Sequence, residues 1–177
     1  NTILYKYPMD GRHIQFGSKL TVRESQVAIF MNKGKIADVF GPGTHTLKAS
    51  NIPILTQLLS LPFGFKSPFY ADVFFINTKQ FTNQKWGTPN PITIRDKEFG
   101  AVRVRGFGSY SFRVKDAYVF LSELSGSGHS FTTQDITDHL RSVLISGITD
   151  AIGESNLSVL DFAANLDELS TRVKEGL

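Results

Sequence analysis

The sequence predicts an α+β fold, with an antiparallel β-rich N-terminal two-thirds followed by packed α-helices. Residues 20–114 consist of short alternating or apolar runs punctuated by Gly, Pro and Asn. Beyond Asp116, apolar residues recur at three- and four-residue spacing behind helix-capping signals. Charge divides along the same line, with net +5 over residues 1–70, +4 over 71–120 and −6 over 121–177. That asymmetry fits contact with an anionic surface on one side, or head-to-tail packing between copies. The plainer reading is a strand-rich half with Lys on its edges and a helical half with Asp and Glu in its caps.

The elements follow in order. Leu20-Thr21-Val22-Arg23 alternates, and Val27-Ala28-Ile29-Phe30 is an apolar run. Asn32-Lys33-Gly34-Lys35 then turns the chain into a second strand at 36–40, which is a hairpin signature. Gly41-Pro42-Gly43-Thr44-His45 predicts a sharp loop. Its Gly41 and Gly43 supply backbone angles that a Cβ resists, Pro42 stiffens the turn, and His45 fixes it. An extended segment restarts at 46–48. Residues 52–65 are apolar but interrupted by Pro53 and Pro62, which predicts a short buried or interfacial segment. Leu58, Leu59 and Phe63 within it either complete the core or form a patch that touches lipid or a neighbouring subunit. Residues 70–78 read as a strand, 86–91 as irregular, and 92–95 and 99–114 as a third β region.

Asp116 caps a helix over 117–124, and the Ser/Gly-rich stretch 125–130 predicts a flexible loop. Thr132-Thr133-Gln134-Asp135 is a capping box with Asp in place of Glu. It opens a helix with Ile136, Leu140, Val143, Leu144, Ile148 and Ile152 on one stripe, stopped at Gly153. Asn165-Leu166-Asp167-Glu168 opens another, with Leu166, Leu169 and Val173 inward.

Composition narrows the classes. The chain has 177 residues, 41% hydrophobic and 20% charged, which is globular rather than disordered. It contains no Cys, which excludes a disulfide scaffold, a Cys-based zinc or iron–sulfur site and a Cys nucleophile. No run approaches the roughly 18–20 apolar residues of a transmembrane helix, and the N-terminus has no signal-peptide pattern. A start without Met and a stop in mid-pattern at Leu177 suggest a piece of a longer protein.

Arg105-Gly106-Phe107-Gly108-Ser109-Tyr110-Ser111-Phe112 nearly spells an RNA-recognition octapeptide, with 73–77 as its companion strand. That fold needs a helix between the two strands, and the Gly/Pro-interrupted residues 78–100 carry no helical stripe. A strand kinked at Gly106 and Gly108 is the reading that fits. In it, Val102, Val104, Tyr110, Phe112 and Val114 share one parity, while Arg103, Arg105 and Arg113 share the other with Ser109 and Ser111. The three guanidinium groups either grip phosphate or acidic partners or lie on a solvated face with cross-strand ion pairs. Catalytic groupings are poor. His13, His45, His129 and His139 include no Ser–His–Asp arrangement, Asp135 and His139 alone do not complete a metal site, and neither Gly-rich loop has the frame of a phosphate loop.

Several stretches carry a resemblance. Val22-Arg23-Glu24-Ser25-Gln26-Val27-Ala28-Ile29-Phe30, the turn at Asn32-Lys33-Gly34-Lys35, and Phe40-Gly41-Pro42-Gly43-Thr44-His45 resemble the opening of the stomatin/prohibitin/flotillin (SPFH) superfamily. The run from Arg95-Asp96-Lys97-Glu98 to Phe112-Arg113-Val114-Lys115-Asp116 is similar to its second hallmark, and Leu140-Arg141-Ser142-Val143 followed by 157–162 to its closing helices. Gly17-Ser18-Lys19-Leu20, Gly64-Phe65-Lys66-Ser67-Pro68-Phe69 and Asn77-Thr78-Lys79-Gln80-Phe81 through Trp86-Gly87-Thr88 resemble the virion-core-protein-like branch.

The resemblance implies an SPFH-like α+β domain at 20–155, a lead-in at 1–19 and a helical extension at 156–177 that starts a longer tail. It implies a non-enzymatic scaffold, cytoplasmic and peripherally membrane-associated, that forms homo-oligomers and organises partners at membranes, in stress responses among other settings. Membrane surfaces or membrane proteins are the expected partners, with neither nucleic acid nor a small-molecule substrate. No cofactor is expected here, because the four-Cys zinc-ribbon tail of that branch would lie outside these residues. Arg103, Arg105, Arg113, Leu58, Leu59 and Phe63 are the candidate interaction surface; Gly41, Pro42, Gly43 and His45 are the structural motif. The alternatives are a soluble module that recruits a membrane protein without touching lipid, and a hydrolase using His129 or His45.

Overall fold

The computed structural model describes residues 2–60, 68–127 and 132–176. Phe63, the branch-like stretch at 64–67 and His129 lie outside the described residues. The chain divides into two units, residues 1–81 with 112–133, and residues 82–111 with 134–177.

The first unit is organised by a strand buried on both sides. In β3 (Gln26–Asn32), Ala28, Ile29, Phe30 and Met31 are all inaccessible, so this apolar run occupies the middle of a sheet covered on both faces. Its partners are β4 (Lys35–Phe40) and β6 (Asp72–Asn77), and β1 (Leu4–Lys6) pairs with β6, giving the antiparallel order β1-β6-β3-β4. The segment 1–19 thus supplies an edge strand. It also contributes Ile14, which bridges to Phe69. The β3–β4 turn consists of Lys33 and Gly34, both with positive φ (47° and 77°), between paired Asn32 and Lys35. That backbone follows the right-handed twist of the strands, which is why Gly occupies the second position.

On one side of the sheet, Ala28, Phe30, Phe40 and Val73 join Leu20, Val22, Leu47, Ile52 and Leu55 in a single apolar cluster. Leu20 and Val22 come from β2 (Lys19–Val22), which pairs with β5 (Gly43–Thr46). The strand therefore begins at Gly43, earlier than the expected restart at 46–48. Ile52 and Leu55 flank and belong to α1 (Pro53–Leu58), and here the sequence expectation is corrected. Pro53 does not break the segment; it sits in the first helical turn, where a missing N–H costs nothing. The free N–H groups of Ile54 and Leu55 donate to the buried carboxylate of Asp38 on β4, at 3.2 and 2.8 Å. Further along, α2 (Ala117–Ser127) packs against β4, opened by Asp116 accepting the N–H of Val119 at 3.0 Å. It runs through Ser125 to Ser127, residues expected to be loop, and the Ser125 hydroxyl donates to Leu121 O at 2.8 Å within the helix.

The second unit is built on a long bent ribbon. β7 (Phe81–Gly87) pairs with β10 (Phe107–Phe112), and β8 (Ile92–Asp96) pairs with β9 (Gly100–Val104). Trp86 and Gly87, expected in an irregular segment, therefore lie on a strand. The expected single strand over 99–114 is two, divided at Arg105-Gly106. The remainder is helical: α3 (Thr133–Glu154), 3₁₀ turns at Val159–Asp161 and Ala163–Asn165, and α4 (Leu166–Gly176). Of the expected stripes, Ile136 is buried and Leu140, Leu144, Ile148, Ile152, Leu169 and Val173 are half-buried, whereas Val143 and Leu166 are exposed. Leu166 opens α4, one turn before the inward pair it was grouped with, and its side chain stays in solvent.

Candidate functional site

The Gly41–His45 loop is held by contacts among its own residues and Phe40. Gly43 has φ +130°, a conformation L side chains rarely adopt. Gly41 has no positive φ and open space around its Cα, so of the two glycines only Gly43 is required by the backbone. His45 Nε2 lies 2.9 Å from Gly41 O, and since a carbonyl only accepts, Nε2 carries the proton. The imidazole also packs on Phe40, ring centroids 5.0 Å apart. His45 is thus committed to closing its own loop across Pro42.

Leu58 and Leu59 are half-buried and pack against the apolar cluster beneath α1; the apolar side chain that α1 leaves open is Ile54, on the helix's first turn. An open cleft of about 420 Å³ in the same unit has Ile14, Phe30 and Val73 on its floor and Arg12, His13 and Lys19 at its rim. Arg12 is engaged locally, donating to Pro8 O and Met9 O at 3.1 Å and pairing with Asp10. His13 meets Tyr70 edge to face at 5.5 Å. None of the described residues that line the cleft is a carboxylate.

Arg103 and Arg105 are exposed in the second unit, and Arg113 is exposed in the first, just beyond β10. Ion pairs among the described residues are Lys6–Asp72, Arg12–Asp10, Arg141–Asp138 and Arg172–Glu168. The three arginines have no cross-strand partner in that set. Asp135 and His139 both lie on α3, and among the described residues no three His, Asp or Glu side chains gather as a metal site would require.

Two groups in the second unit have displaced ionisation. Asp96, buried at the end of β8, accepts N–H groups from Val159, Glu98 and Phe99 and a hydroxyl from Ser158, and these bonds hold its carboxyl below the usual range against the opposing effect of burial. In the sequence Asp96 is one of four consecutive charged residues, Arg95-Asp96-Lys97-Glu98; its partner at Val159 is too distant in sequence to be read. Burial pushes the Tyr110 phenol up, offset in part by the Arg141 guanidinium.

Between β6 and β10 the chain runs through β7, β8 and β9 with no helix, so the RNA-recognition topology is absent from this stretch. No helix among the described residues is long and apolar enough to cross a membrane.

Comparison with known proteins places the whole chain. The profile described as "SPFH domain-Band 7 family" matches residues 4–177. The chain is 30% identical over 177 residues to the uncharacterized protein YdjI of Bacillus subtilis (strain 168), an alignment covering 99% of this chain and 54% of that protein. The chain therefore spans about half the length of the curated relative it matches. No solved structure matches it.

Proposed function

The chain belongs to the SPFH domain–Band 7 family, and from that premise we propose that it is a non-enzymatic scaffold which self-associates at a membrane surface and recruits partners there. Proteins of this family are in general membrane-associated scaffolds. The observation that carries the reading is the extent of the match, which takes in nearly every residue of both units. Charge supports self-association: a basic body over 1–120 and an acidic end over 121–177 complement each other between copies. Attachment is peripheral and on the cytoplasmic side, and the virion-core-protein-like branch is the one its motifs fit best. Any zinc belongs to a tail beyond these residues.

The test is flotation of the intact protein with liposomes together with its mass by light scattering. A large homo-oligomer that floats is the expected result. A monomer that stays at the bottom of the gradient replaces this reading with a soluble module that recruits a membrane protein without lipid contact.

A further inference from the structure

The most exposed large apolar side chain of the described residues is Phe107, at 90%. It stands between two glycines, and both are filled from behind. A Cβ on Gly106 would come within 3.2 Å of Trp86 Cη2, and one on Gly108 within 3.0 Å of Trp86 Nε1. The indole thus occupies the inner face where neighbouring side chains would otherwise sit. The corner is closed by Thr88, whose N–H donates to Gly106 O at 2.9 Å and whose hydroxyl accepts the Gly106 N–H at 3.1 Å. Phe107 cannot turn inward without displacing Trp86. An isolated exposed Phe is ordinarily unremarked; one whose outward register is locked by a tryptophan and two glycines is displayed.

What surrounds it is cationic. Exposure alternates without a break from Ala101 to Ser111, so Arg103, Arg105 and Phe107 share the outer face although the chain changes pairing partner at Gly106. Cross-strand register puts Arg95, opposite Ala101, on that same face, and Thr93 opposite Arg103. Lys85 is exposed on β7, two residues from Gly87, whose own Cβ direction approaches Phe107 Cβ at 3.9 Å. None of Lys85, Arg95, Arg103 or Arg105 is in an ion pair among the described residues. The carboxylates of residues 82–111 are Asp96, buried and engaged by backbone N–H groups, and Glu98, in the turn at the ribbon's tip.

The geometry points to this outer face, Lys85, Arg95, Arg103 and Arg105 around Phe107, as a docking surface for an anionic phospholipid bilayer. The cations meet headgroup phosphates and carboxylates, and the phenyl ring enters the boundary between headgroups and acyl chains. Single-stranded RNA is the weaker fit, because base stacking needs a row of aromatic faces, and the exposed aromatics of the ribbon are Phe107 and, in the turn at its tip, Phe99. The inference rests on the membrane-scaffold reading and adds to it which surface touches lipid and what lipid charge it selects.

Cosedimentation of the intact protein with phosphatidylcholine vesicles, and with vesicles carrying phosphatidylserine as well, tests it. Binding is expected to the second kind and to weaken as salt rises. The triple variant R95A/R103A/R105A should weaken binding about a hundredfold. Phe107→Ser should weaken it roughly tenfold. Melting temperatures should match the wild type in both. Variants that bind vesicles as the wild type does overturn this surface while leaving the membrane-scaffold reading standing. A wild type that binds neither vesicle overturns both. The surface is also overturned if the same substitutions abolish binding of a labelled oligouridylate, or lower the oligomer mass, with vesicle binding unchanged.

Discussion

Asp96 Oδ2 accepts the backbone N–H of Val159 at 2.7 Å while its other oxygen accepts from Glu98 and Phe99. One carboxylate therefore shapes the tip of the β8–β9 hairpin and fixes the start of the first 3₁₀ turn after α3. Because these bonds favour the ionised form, the folded-state pKa lies below the unfolded one. The contribution of Asp96 is fully present above its unfolded value, about 3.9, and is lost as pH falls through the lowered folded value. Urea midpoints from about pH 5 down to about pH 2 should fall more steeply for the wild type than for Asp96→Asn, which should already be less stable at neutral pH. Parallel profiles would show that the carboxylate charge contributes nothing.

Gly43 is the position in the Gly-Pro-Gly loop where a side chain meets strain. With φ at +130°, Gly43→Val should destabilise the protein, by about 1–3 kcal/mol in a denaturation midpoint. Gly41→Ala, at a residue with ordinary φ and open space, should be nearly silent. Equal effects would mean that the loop's demand lies elsewhere.

Asp38 is a helix cap delivered from a strand. Removing it in Asp38→Ala leaves the N–H groups of Ile54 and Leu55 without their acceptor, at a cost of about 1–3 kcal/mol. Hydrogen exchange should speed first at Ile54 and Leu55 and then through α1. Unchanged protection there would contradict the capping role.

Leu58→Asp separates two roles for the same side chain. Leu58 packs against the buried cluster from the last turn of α1, so the substitution should lower stability by about 2–4 kcal/mol. Ile54→Asp, at an exposed position, should spare the fold. If Leu58→Asp instead folds as the wild type does and only loses self-association or vesicle binding, Leu58 is an interface residue.

Much of this architecture can be read in the chain, for local reasons. The Lys33-Gly34 turn, the Asp116 cap and the start of α3 each depend on residues within four positions of one another, and each is legible. α1 is not, because Pro53 reads as a breaker until Asp38, sixteen residues before Ile54, is known to supply the cap. The same limit applies to the outer ribbon face. The parity of Arg103 and Arg105 is visible in sequence, but the reason Phe107 joins them is Trp86, on the opposite arm of the ribbon. Gly106 and Gly108 signal a kink; which ring fills the space behind them is a long-range fact.

The chain passes from the first unit to the second at 81–82, returns at 111–112 and leaves again after 133, so each unit is assembled from two separate stretches. No single cut releases either one whole: a chain ended at residue 111 lacks α2 from one unit and α3 and α4 from the other. Modularity has to be sought by excision instead. Phe81 and Phe112, the residues at which the two stretches of the first unit break off, stack with ring centroids 5.1 Å apart. Splicing Phe81 to Phe112 through a short turn, with the chain ended at Thr133, would make the first unit a continuous polypeptide, and its folding would measure how far that unit stands without the ribbon.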